Sequence, residues 1–140
     1  MGLRRKSREY ALQMLFQWDI THDAIDSIIE PFWESLEVPE PHDVIEFANS
    51  LATGTVEQVE KIDSIIERHA DNWRLDRMAG VDRNLLRLAT HEFLSEREKG
   101  EIPAAVIINE AIEIARRFSA EASPQFINGI LDSIRKEVAT

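Results

Sequence analysis

The chain has 140 residues, 26 acidic side chains against 16 Lys and Arg, a formal net charge of −10 and no cysteine. That length suits one domain, or two small helical subdomains sharing a core, and the missing thiols exclude disulfides, thiolate metal sites and cysteine nucleophiles. The acidity excludes a general nucleic-acid coat but leaves room for one focused contact.

Taken in chain order, nearly every segment carries helical periodicity, and strand-like alternation is absent. A first helix is expected from Ser7, as its cap, to about Ile20. Ala11, Met14, Leu15 and Trp18 recur at helical spacing as one buried stripe, with Leu12 and Phe16 beside it. A second helical segment, 24–36, contains Pro31, which should kink or break it near Glu30. A third helix should start near Pro41 and end before Gly54. Thr55 should cap a fourth, with Val59, Ile62 and Ile66 facing inward. A short helical piece at 75–79 precedes Gly80. Asp82 should cap the next helix, whose inner face is Leu85, Leu86, Ala89 and Phe93 and which Gly100 closes. Pro103 should open a helix reaching Phe118, with Ile108, Ala111, Ile112, Ala115 and Phe118 as its stripe. Ser123 as cap and Pro124 as first residue should start the last helix, which carries Phe126, Ile127, Ile130, Leu131 and Ile134. The expected fold class is all-α, with about seven helices. Helices this short are marginal alone, so mutual packing must hold them.

The first eight residues stand apart. Arg4, Arg5, Lys6 and Arg8 bring four positive charges and no acid, while the rest of the chain sums to −14. A cationic cluster on an anionic body attracts a polyanion to one place. The cluster runs straight into the first amphipathic helix, which makes it a fixed foothold rather than a free tail. No apolar run approaches the roughly 18 residues of a membrane span. The opening also lacks the apolar stretch of a signal peptide, so a cytosolic protein is expected.

Catalytic patterns are missing. His22, His42, His69 and His91 fall on separate elements, none at a metal-ligand spacing. There is no Walker loop, no glycine-rich turn after a strand and no serine elbow. The acids read as solvated helix faces. No enzyme activity, cofactor or metal is expected. Asn109 and Asn128 interrupt apolar runs, and each is read as a buried amide bonded to a neighbouring backbone. Gly129, inside the last helix, is read as a point of close helix approach.

Residues 4–16, reading Arg-Arg-Lys-Ser-Arg-Glu-Tyr-Ala-Leu-Gln-Met-Leu-Phe, resemble the opening of the NusB family of bacterial transcription antitermination factors. Val81-Asp82-Arg83-Asn84-Leu85-Leu86-Arg87-Leu88-Ala89 is similar to that family's central motif. Ile102-Pro103, then residues 108–115 and finally 126–132, Phe-Ile-Asn-Gly-Ile-Leu-Asp, resemble its C-terminal signature. The likeness keeps its order from Arg4 to Asp132.

This resemblance implies two small helical bundles packed across each other, which we divide at about 1–80 and 81–140. It implies binding of boxA, a short single-stranded element of nascent RNA, together with NusE, a small-subunit ribosomal protein. The assembly would join elongating RNA polymerase and other Nus factors, suppress termination and support ribosomal RNA transcription. The RNA residues it suggests are Arg4, Arg5, Lys6, Arg8, Arg116, Ser123, Gln125 and Phe126, with Arg117 able to line the same groove. Cations contact phosphates, and arginine and phenylalanine faces stack on unpaired bases. For the protein partner it suggests Phe16, Asp82 and Arg83. Ala122 stands where relatives often carry an acid, and His91 where they carry a tyrosine. The family leaves a homodimer open. Two other readings compete: a non-catalytic protein–protein adaptor, and an RNA-binding factor of ribosome assembly.

Overall fold

The computed structural model describes residues 2–71 and 73–139. Seven α-helices follow one another: α1 (Leu3–Thr21), α2 (Ile25–Glu34), α3 (His42–Glu57), α4 (Val59–His69), α5 (Gly80–Lys99), α6 (Ala104–Phe118) and α7 (Ser123–Val138). A 3₁₀ turn, Leu75–Arg77, lies between α4 and α5, and no strand occurs among the described residues.

Two apolar cores form. Ala11, Met14 and Leu15 of α1 pack on Ile25 and Ile28 of α2 and on Ala48, Leu51 and Ala52 of α3. The second core joins Ile62 and Ile66 of α4, Leu85, Leu86 and Phe93 of α5, Ile107 and Ile114 of α6, and Ile127, Leu131 and Ile134 of α7. The cores therefore divide between α3 and α4, earlier in the chain than residue 80. Two residues cross the divide: Leu12 of α1 sits in the second core and Leu88 of α5 in the first. That crossing explains why residues 84–90 of α5 are buried on every side, although the helix carries only one apolar stripe in sequence.

Charge also locks the two units. Arg87 of α5 makes a two-point pair with Asp63 of α4 (2.8 and 3.0 Å) and reaches Asp19 of α1 at 3.2 Å. Burial alone would raise the Asp19 carboxyl, but hydrogen bonds from Arg83 and Asn84 and the charge of Arg87 hold it below its ordinary value.

Several boundaries differ from the sequence reading, each for a local reason. Ser7 is not a cap: it lies inside α1, where its hydroxyl donates to the carbonyls of Leu3 and Val44 and ties α1 to α3. Thr55 lies inside α3 and donates to Leu51 O. Asp82 lies in the first turn of α5, whose cap residue is Ala79. Pro31 does not break α2, which runs to Glu34 with Pro31 inside. Gly54 does not end α3; it makes room for the imidazole of His91, which a Cβ there would strike. Gly100 does close α5, at φ 62°, a left-handed conformation that favours glycine. Asn109, Asn128 and Gly129 are exposed rather than buried. Nothing lies within 4 Å of where a Gly129 Cβ would stand, so no helix approaches there. Phe118 is exposed at the end of α6, beyond the reach of the α5 and α7 contacts that bury Ala111, Ile114 and Ala115.

Candidate nucleic-acid and partner interface

The four opening cations occupy the first turns of α1 but face different surroundings. Arg4 is exposed, with its guanidinium 4.0 Å from the centre of the Phe47 ring of α3. Such stacking leaves the second face of the guanidinium open. Among the described residues Arg4 pairs with no carboxylate. Arg5 donates from Nε and Nη2 to Glu110 of α6, at 3.0 and 2.7 Å. Those hydrogen bonds hold the Glu110 carboxyl below its ordinary value, against partial burial. Lys6 donates to Glu40 at 2.9 Å, and Tyr10 donates to the same carboxylate. Burial and that bond push the Tyr10 phenol up to about 12.

Arg8 departs from the expectation of a phosphate contact. It is 4% exposed and grips Glu92 of α5 at 2.8–3.1 Å. Burial pushes the Glu92 carboxyl up although Arg8 opposes this. A guanidinium so enclosed is a strut between α1 and α5, and the surface that reaches solvent is that of Arg4, Arg5 and Lys6.

The second group of candidates gathers where α6 ends and α7 begins. Arg116 is exposed and pairs with Glu113 at 2.6 Å. Arg117 donates to both oxygens of Glu9 on α1, at 3.0 and 2.8 Å, and lies over the Phe118 ring. The Arg5–Glu110 and Glu9–Arg117 pairs thus lay α6 alongside the basic start of α1. α7 starts at Ser123 and Pro124, but Ser123 is its first helical residue and not its cap, which is Ala122 without a side-chain bond. The Ser123 hydroxyl, however, is buried and donates to Asp82 Oδ2 at 2.8 Å, tying the first turns of α5 and α7 together. Gln125 is exposed and Phe126 half-buried. Trp73, which sequence reasoning passed over, meets Phe126 edge to face at 5.5 Å. Its signal was present: a tryptophan among Asp, Asn and Arg, outside any apolar stripe.

The candidate partner residues meet at the start of α5. Phe16 of α1 is 37% exposed, and Ile20, one turn on, is exposed too. The Phe16 ring lies over Gly80, with its Cε1 2.8 Å from where a Cβ would stand. Gly80 therefore lets the ring edge come close to α5. Asp82, two residues on, is buried, and its Oδ1 has no hydrogen-bond partner among the described residues. Arg83 is half-buried; it donates to Asp19 at 2.8 Å and to the carbonyls of Met78 (2.8 Å) and Leu75 (3.3 Å). It braces the 3₁₀ turn against α1 and α5. Among the described residues no group of three or more His, Cys, Asp or Glu could hold a metal ion. No helix there is long and apolar enough to cross a membrane.

The arrangement has counterparts. The model of the NusB family matches residues 5–136. The transcription antitermination protein NusB of Koribacter versatilis strain Ellin345 is 48% identical over 137 residues, covering 98% of this chain and 91% of that protein. A solved structure of T. maritima NusB superposes with a TM-score of 0.86 at 38% identity, covering all of this chain and 94% of that one. A crystal structure of the antitermination factors NusB and NusE in complex with dsRNA holds a chain matching with a TM-score of 0.85. That chain is 28% identical, and 98% of each chain is covered. With near full-length matches in sequence and in fold, this chain belongs to the NusB family.

Proposed function

We propose that this chain is a transcription antitermination factor that binds boxA-type single-stranded RNA together with NusE. In this reading it acts in the cytosol without catalysis. It delivers the RNA to the elongating RNA polymerase with other Nus factors and supports ribosomal RNA transcription. The observation that carries the reading is the likeness, over 98% of the chain, to a chain of a NusB and NusE complex solved with dsRNA. Local chemistry supports it. Exposed Arg4 and half-buried Arg5 and Lys6 lie in the first turn of α1, Arg116 and Arg117 end the helix beside it, and α7 presents Gln125 and Phe126 from its first turns. Phosphates are drawn to the cations and bases to the aromatic faces. Phe16 and Ile20 form a separate apolar strip, suited to anchor a protein, and the acidic body suits a basic ribosomal partner.

Mixing the chain, NusE and a labelled boxA oligonucleotide, then sizing the mixture, tests the reading. Co-elution of all three supports it. A second reading, a protein adaptor indifferent to RNA, draws on one observation: Arg5, Lys6 and Arg8 each already face a carboxylate. It predicts that chain and NusE co-elute while the RNA runs alone.

A further inference from the structure

We propose that Trp73 is an RNA-contacting residue, forming with Phe126 an aromatic platform on which an unpaired base stacks. The inference deepens the RNA-binding reading above and rests on it. Trp73 is 56% exposed, although an indole is the side chain that gains most from burial. Its ring meets Phe126 at 5.5 Å with planes 72° apart. An edge-to-face contact occupies at most one face of one ring, so the pair leaves open aromatic surface. Phe126 lies among the α7 residues already assigned to RNA, which makes Trp73 a continuation of that face.

The backbone that carries the platform is tied down. The backbone N–H of Trp73 donates to Ala70 O at 3.0 Å. Buried Leu75 and Met78 anchor the turn that follows, and Arg83 bonds both of their carbonyls. A fixed aromatic loses little freedom on binding. The local charge does not repel a nucleotide. Residues 70–79 hold two arginines and two aspartates on a chain of net charge −10, a neutral window in an acidic surface.

The test uses the full chain with NusE and a labelled boxA oligonucleotide, comparing the parent with W73A and W73F. Stacking is worth a fold-change of about 5 to 150 per base, and W73A should weaken RNA binding within that range. W73F should retain most of the affinity. NusE binding without RNA should be equal in all three. RNA should also quench tryptophan emission in the parent and not in W73F, a signal that a merely structural role would not move. The proposal is overturned if W73A binds RNA like the parent, if quenching persists in W73F, or if W73A weakens NusE binding without RNA. If the parent binds no RNA even with NusE, the broader reading falls with it. Loss in an R4A/R5A/K6A variant alongside normal W73A binding leaves the broader reading standing and removes only Trp73.

Discussion

Arg8 and Glu92 clasp each other through two guanidinium nitrogens in the buried seam between α1 and α5, each side chain at most 5% exposed. A pair taken out of water this completely is costly to break from one side, since the survivor is left charged and unpaired. Arg8→Ala should lower stability by about 3–5 kcal/mol in urea unfolding. Replacing both partners by apolar residues, R8M with E92L, should cost far less. That double variant should bind RNA with NusE nearly as the parent does, because Arg8 faces protein. A large RNA defect in the stable double variant would return Arg8 to the binding surface.

On the proposed function, Glu40 and Glu110 compete with RNA for the opening cations. Glu110 holds Arg5 and Glu40 holds Lys6. E40Q and E110Q should each remove one negative charge and free one cation, raising RNA affinity by a few-fold at low salt, on the scale of a surface pair. The gain should shrink as salt rises. Titrations at two ionic strengths read this out, and weaker binding in both variants would contradict it.

How much of this was legible in the chain divides along physical lines. Apolar periodicity located every helix, since burial of one face leaves a repeat that a reader can count. It could not reveal that α5 is buried on several sides, because Arg87 and Glu92 look like surface residues until Asp63, Asp19 and Arg8 arrive from distant segments. The caps failed for a related reason: Ser7, Thr55, Asp82 and Ser123 have the right chemistry, but tertiary partners or the preceding turn claimed them. Among site residues, the resemblance to a known family pointed to Phe16, which the spacing put only beside the buried stripe, together with Leu12. Ser123 and Asp82 were assigned to different ligands, whereas the fold turns them on each other. Trp73 sits in a loop, where no period marks it.

His91 supplies a pH test. Burial, with a smaller push from Lys99, lowers its imidazole from 6.5 to about 4. The unfolded chain takes up a proton near pH 6.5 that the folded chain refuses until about 4. Stability is therefore complete above the unfolded value and falls as pH drops from 6.5 toward 4, by up to about 3 kcal/mol from this group. Urea midpoints across that window should fall more steeply for the parent than for H91F, whose ring can rest on Gly54 without titrating. Parallel curves would show that His91 is not the source.

Phe16 and Gly80 separate partner binding from folding. F16A removes a ring that is already 37% exposed, so its stability cost should stay near 1 kcal/mol, the common size for a point change. NusE binding should weaken by about 2 kcal/mol or more, as for an aromatic anchor. G80A should act through the same ring, because its Cβ would stand 2.8 Å from Phe16 Cε1 and lift the ring from α5. Calorimetric titration with NusE measures both. Full affinity in F16A would move the partner surface elsewhere.

In the proposed function the start of α1 holds RNA beside NusE. The most direct measurement is a titration of labelled boxA RNA with NusE present, comparing the parent with R4A/R5A/K6A over a range of salt. The parent should show a log–log salt slope of about −2 from these three contacts, at about 0.7 per phosphate on a single strand. The variant should lose most of the affinity and most of that slope while keeping its helical circular dichroism. Equal affinity and equal slope in the two proteins would contradict the account.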